Sequence, residues 1–398
     1  MLRKIHASGW SYRLLFAMSV MCIWAAELRA LPAQESTNAA PTKSKNAALV
    51  WNAANTRLVV ISLAGFKGEK PGHTSFSTAD RLDDPLVELF RQRGVPEQQI
   101  LYLKDSNATT AEVEARFPAF LEHSKPEEIL IFYFSSHGGY NPKTGAHTYT
   151  TFDGSIPIGW FMGKIEKNFL GSAAMIFSDC CYSGGMVNLV KCLPPGRTAF
   201  GALSTTGSQN VAYSGWRFTD LLMRAWKGDR AMDEDHSCTI DFGELCRFAE
   251  RYMAFVAEGR PLYTFTGNFP RDLVLAKTSL KSKDGAGRFL EAKDGTDWFK
   301  GEVVDVKTDP SGASQFLIHF TDKRRYARFL WVGEPELRPF KFPRFSVGTR
   351  VEIRDPSGKW VPGNVISSFE QLHECHYAGK SPLLDEWISP SRIKIPSE

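Results

Sequence analysis

The chain has 398 residues, 43% of them hydrophobic and 23% charged, with a formal net charge of +4. It is long and apolar enough for two or three packed domains, which excludes an intrinsically disordered chain. So weak a net charge, with no arginine-rich arm, gives no basis for expecting nucleic acid as a partner.

Arg3, Lys4 and Arg13 precede an apolar run from Leu14 to Ala26, and small residues follow at Ala30 and Ala33. This is the layout of a secretory signal peptide over residues 1–30, so export to a periplasmic or extracellular space is expected. The run is short for a membrane span, and an uncleaved signal that anchors the chain is the alternative. Residues 31–55 are mostly polar and aperiodic, as in a linker. Of the remaining cysteines none is in a CxxC pair, and they are too sparse for a disulfide scaffold. In an exported chain Cys192, Cys238 and Cys246 are candidates for a bridge whose pairing stays open.

From residue 56 strands and helices alternate. Leu58–Leu63, Gln99–Leu103, Ile129–Phe134, Ala173–Phe177 and Phe200–Thr205 are apolar, strand-length runs. Helical patterns cover Leu86–Arg93, Thr109 to about Glu122 (with Thr109 and Glu112 as a capping box), Ile158–Asn168, Phe218–Trp226 and Phe242–Val256. The segment between His137 and Gly154 is polar and rich in Thr and Tyr. The alternation predicts an α/β fold, a mainly parallel sheet flanked by helices, over residues 56–280.

Two of these strands end in chemistry. Ile129–Phe134 runs into Ser135-Ser136-His137-Gly138-Gly139, and Ala173–Phe177 into Ser178-Asp179-Cys180-Cys181-Tyr182-Ser183-Gly184-Gly185. The carboxyl ends of parallel strands are where such a sheet places its ligand site. An imidazole near a sulfur is expected to lower the thiol pKa and later to protonate a leaving amine. The glycine after His137 leaves a backbone N–H for an oxyanion.

These two motifs resemble the signatures of the caspase-like cysteine peptidases, particularly the metacaspase and bacterial caspase-homologue branch, over roughly Arg57–Lys277. The resemblance implies Cys181 as nucleophile, His137 as general acid/base, and the backbone N–H groups of Gly138 and Cys181 as the oxyanion hole. It implies substrate-binding roles for Asp179 and, within Asp83-Asp84-Pro85, for Asp84. Two such acids favour protein or peptide substrates with Arg or Lys at P1. Tyr182 stands where metacaspases usually have His. The Cys–His chemistry requires no cofactor and no metal is expected in the site. Calcium activation remains open by the resemblance, although Asp233-Glu234-Asp235 reads as a solvated loop before a helix. Lys191 and Arg197 flank Pro194-Pro195-Gly196, a candidate loop for self-processing.

From residue 284 the pattern changes to short strands and turns. Asp297-Trp298-Phe299-Lys300-Gly301 is echoed by Gly358-Lys359-Trp360-Val361-Pro362-Gly363, and His319-Phe320 by His376-Tyr377. The repeat gives two small all-β modules, 284–341 and 344–398, that resemble SH3-like barrels of the Tudor, chromo-barrel or agenet type. Their aromatics, Trp298, Phe320, Trp331, Trp360, Tyr377 and Trp387, are either barrel core or cages for cationic side chains. The expected module ligand is a peptide, a wall polymer or the chain's own domain. The sequence therefore predicts a secreted cysteine endopeptidase. The alternative is a catalytically silent caspase-like scaffold that binds through its pocket and modules.

Overall fold

The computed structural model describes residues 50–68, 74–194, 196–212, 215–257, 259–278, 285–321, 328–355 and 358–396. The signal segment lies outside them, and so does most of the linker. Among the described residues no helix is long and apolar enough to cross a membrane.

The first half of the α/β region runs β1 (Thr56–Ser62), α1 (Asp83–Gln92), β2 (Ile100–Lys104), α2 (Thr110–Glu122) and β3 (Ile129–Ser135). A small antiparallel sheet follows, β4 (Gly138–Asn141), β5 (Ala146–Thr150) and β6 (Ser155–Pro157), and then α3 (Ile158–Asn168). Next come β7 (Ala173–Asp179), α4 (Gly184–Lys191), β8 (Ala199–Ser204) and α5 (Arg217–Lys227). The region closes with β9 (Thr239–Asp241), α6 (Phe242–Ala257), β10 (Tyr263–Phe265) and β11 (Val274–Lys277).

The main sheet has the order β10-β8-β7-β3-β1-β2. All its pairings are parallel except that of β10 with β8. Its central strands alternate between two cores, which is why they read as unbroken apolar runs. Tyr133 and Phe177 face α1, α5 and α6, and Phe132, Phe134 and Ile176 face α2, α3 and α4. Thr109 caps α2 by accepting from Glu112 N–H at 3.2 Å. The Thr/Tyr-rich segment that carried no prediction is the β4–β6 sheet, which covers the strand ends.

The C-terminal third forms two antiparallel five-stranded sheets. The first holds β12 (Phe289–Asp294), β13 (Asp297–Thr308), β14 (Ser314–Phe320), β15 (Phe329–Gly333) and β16 (Leu337–Arg338). The second holds β17 (Arg350–Arg354), β18 (Trp360–Phe369), β19 (Leu372–Tyr377), β20 (Glu386–Ile388) and β21 (Ile393–Lys394). Each encloses its own apolar cluster, as small barrels do. Cys192, Cys238 and Cys246, the candidates for a bridge, are free thiols in the structure, the first two exposed and Cys246 buried on α6.

Candidate active site

The strands β1, β3, β7 and β8 end level with one another. Ser62 is opposite Ser135, Ser135 opposite Asp179, and Ser178 opposite Ser204. The loops that follow therefore meet at one edge of the sheet. They bring Phe66 and Thr74, His137, Cys181, and Asn210 and Ala212.

Gly138 places the histidine loop against the cysteine loop. A Cβ there would stand 2.0 Å from the Cys181 carbonyl oxygen and 2.9 Å from Cys180 Sγ, so only glycine fits. His137 packs against Phe66 and Phe76, at ring separations of 5.0 and 4.3 Å. Its Nε2 lies 2.9 Å from the Thr74 carbonyl oxygen. A carbonyl only accepts, so that bond makes Nε2 the donor and leaves Nδ1 as the basic nitrogen.

Cys181 Sγ accepts from Ala212 N–H at 3.4 Å. The N–H groups of Ala212, Cys181 and Gly138 all favour its thiolate, yet burial outweighs them and pushes the thiol above its usual range. The sequence led us to expect a lowered pKa; in the structure desolvation sets the direction. Cys180 is 3% exposed and turned into the core, where burial drives its thiol far up. Tyr182 has φ +58°, its N–H donates to the Asn210 carbonyl at 2.7 Å, and its ring meets Tyr140 at 5.7 Å.

The acids divide. Asp179 is 7% exposed and takes hydrogen bonds from the hydroxyls of Tyr133 (3.4 Å) and Thr219 (3.3 Å). Asp83 is fully buried, salt-bridged to Arg81 at 2.6 Å and bonded by Tyr102 OH at 2.6 Å, and these partners hold its carboxyl below the usual range against the burial that raises it. Asp83 and Asp179 both act on Tyr133, whose pKa burial raises first and these two charges raise further. Asp84 turns the other way, to Lys104 at 2.5 Å and Tyr102 at 2.9 Å, and is half exposed. Arg81 also bridges to Asp105 at 2.6 Å. A pattern match between adjacent aspartates does not say which one faces inward; the helix start decides it.

The sequence reading passed over His147. Its Nε2 lies 2.8 Å from Ser208 O and its ring 4.7 Å from Tyr140, and burial lowers its pKa. It packs against the start of α4, where a Cβ on Gly185 would stand 2.3 Å from its ring.

The loop at residues 233–244 is solvent-exposed over residues 235–238, as its sequence reading has it, but the carboxylates at its two ends are buried, Asp233 at 1% and Glu244 at 2% exposure. Carboxylate oxygens of Asp233, Asp235 and Glu244 lie within 4.8 Å of one another. The missed signal is the spacing Asp233, Asp235, Ser237, Thr239, Asp241 and Glu244, the positions 1, 3, 5, 7, 9 and 12 of a helix-flanked calcium loop. Cys238 stands at the sixth position, where glycine is usual, with φ +64°. The oxygen donor set fits a hard divalent cation.

Residues 83–252 match the family model described as the Caspase domain. Three solved structures show the range of likeness. One is a protein of Geobacter sulfurreducens with 16% identity and a TM-score of 0.42, covering 56% of this chain and 100% of that one. Another is caspase-1 from Spodoptera frugiperda, with 12% identity and a TM-score of 0.40, covering 60% and 96%. The third is a tandem Agenet domain, with 15% identity and a TM-score of 0.13, covering 29% and 81%. No curated protein matches. By the family-model match over residues 83–252 the α/β region has a caspase-like fold, the fold of a family of cysteine peptidases.

Proposed function

We propose that this chain is a cysteine endopeptidase in which His137 and Cys181 form the catalytic pair. The observation that carries the reading is Cys181 Sγ ringed by the N–H groups of Ala212, Cys181 and Gly138 at the carboxyl edge of a caspase-like sheet. A buried thiol is protonated at rest, so His137 takes its proton as sulfur attacks the scissile carbonyl. The N–H groups of Gly138 and Cys181 stabilise the oxyanion. The imidazolium returns the proton to the leaving amine, and water then hydrolyses the thioester with His137 as base.

P1 is Arg or Lys in this reading. The charge on the P1 side is assigned to Asp179, with the buried Asp83 behind it, rather than to Asp84. Arg81 neutralises part of that charge, but with Asp105 the group stays net negative. Calcium belongs to the reading at the 233–244 loop, where it would neutralise the clustered carboxylates and fix the entry to α6. Export follows from residues 1–30, and a mature N-terminus after Ala30 or Ala33 supports it; an intact leader in the exported fraction supports the anchor.

The deciding experiment is hydrolysis of Arg-, Lys- and Asp-ended fluorogenic peptides by the full chain and by Cys181→Ala. Cleavage after Arg or Lys that the variant lacks supports the proposal. No cleavage under reducing conditions, with and without calcium, leaves the binding-scaffold alternative. A single intact band in an active preparation would rule out self-processing near Lys191 and Arg197.

A further inference from the structure

The loop after β8 holds the cysteine loop by its backbone and reaches the second β-module through one side chain. Asn210 follows β8 and is 5% exposed. Its carbonyl takes the Tyr182 N–H. Its side chain faces the other way and pairs with both main-chain groups of Trp387 on β20. Nδ2 donates to Trp387 O at 2.7 Å, and Oδ1 accepts from Trp387 N at 3.3 Å. Two positions further on is Ala212, whose N–H reaches Cys181 Sγ. One amide side chain thus ties a strand of the module to the backbone that carries the nucleophile.

The loop is closely packed against its own turn and the start of α4. A Cβ on Gly207 would stand 2.6 Å from Asn210 Oδ1, and one on Gly184 would stand 2.5 Å from Ser208 N. The module is fastened beside it. The Arg260 guanidinium lies over Phe369 at 4.3 Å and over Trp387 at 4.4 Å. Gln371 Nε2 donates to the Phe255 carbonyl at 3.1 Å and to that of Ala254, at the end of α6. Leu372, Trp387 and Ala254 share a buried cluster. Tyr182 needs such support, because a left-handed backbone is unfavourable for a bulky side chain.

We propose that the second β-module is a built-in brace for the active site, and that Asn210 is a positioning residue transmitting it to the Cys181–Tyr182 turn. Of the ligands considered for this module, its own peptidase domain is the one that Trp387 engages. Only the effect on turnover rests on the peptidase reading; the effect on the turn itself does not.

The test is Asn210→Ala in the full chain, with three readouts: amide exchange over residues 180–186, the rate of Cys181 alkylation by iodoacetamide read by mass spectrometry, and peptide hydrolysis. Exchange should quicken and alkylation should change severalfold. Hydrolysis should lose about tenfold or more in kcat, as a small displacement of reacting groups does, with little change in KM. Phe369→Ala, on the module beside Trp387 and under Arg260, should move the same readouts the same way. The double variant should fall short of the product of the two effects. A folded Asn210→Ala with unchanged exchange and alkylation overturns the brace. If that variant does not fold, Phe369→Ala decides by the same readouts. If the wild type cleaves nothing, the peptidase reading falls, and exchange and alkylation still decide the brace.

Discussion

A thiol can be surrounded by amides and still be a weak acid, because desolvation acts on the whole charge while each N–H offsets only part of it. Cys181 is such a group. Its alkylation should be slow at neutral pH and climb at more alkaline pH than for free cysteine. His137→Ala should cost about 10²–10⁴-fold in hydrolysis, the range for loss of an acid/base group, and base added as imidazole should restore part of it. The pocket acids give a second prediction. Asp83→Asn removes one partner of a buried ion pair and should destabilise the fold by about 3 kcal/mol or more, read in urea unfolding. Asp84→Asn, at a half-exposed pair with Lys104, should change stability by about 1 kcal/mol or less and leave the order of cleavage among Arg-, Lys- and Asp-ended peptides as in the wild type.

At the scale of the element, the 233–244 loop carries a pH-sensitive carboxyl. Burial, with the nearby Asp241 and Asp235 charges, raises the Glu244 carboxyl from its usual range to about 7. The folded state then holds a proton that the unfolded chain has released, so stability falls as pH rises from about 4.5 to 7. In EDTA, Tm should drop across that window, and Glu244→Gln should flatten the drop. Calcium requires the carboxylates ionised, so its stabilisation should be larger at pH 8 than at pH 5.5. A Tm that calcium does not move at pH 8, where the wild-type loop is ionised, removes the metal proposal while leaving the pH slope to be explained by burial alone.

At the scale of the whole molecule, the two β-modules are built onto the α/β region. Arg224 on α5 meets Glu302 on β13 at 2.6 Å, with Asp229 on its other side at 2.6 Å. Burial raises the Glu302 carboxyl and the facing guanidinium pulls it back. Phe289 on β12 stacks on Phe255 at 5.1 Å, within the same core as Trp226 and Tyr252. Glu302→Gln should therefore loosen the first module, as faster amide exchange over β12 and β13, and cost about 3 kcal/mol in stability. The aromatic-cage idea weakens at the same scale. Trp298, Trp331 and Trp360 are each covered by a cation of their own module: Arg338 at 4.3 Å, Lys307 at 4.1 Å and Lys394 at 4.6 Å.

The sequence by itself determined β1, β2, β3, β7 and β8 and the helices α1, α2, α3, α5 and α6 of the α/β region, because strands such as β3 and β7 are buried on both faces and can be nothing but apolar. It also determined His137 and Cys181 as residues at strand ends, because glycine-flanked reactive groups leave a local pattern. α4 escaped it, since Gly184 and Gly185 at its start read as loop. The choice of Asp83 over Asp84 escaped it too, since both begin the same helix and only packing against Tyr133 and Arg81 tells them apart. The 233–244 cluster was spelled out in spacing, but the burial of Asp233 and Glu244 was not. Only the tertiary structure decided that Trp387 turns toward Asn210, 177 positions away in sequence, whose carbonyl in turn holds the Cys181–Tyr182 turn. Local patterns record what neighbours along the chain require of one another; a contact over that separation leaves no period and no motif to read.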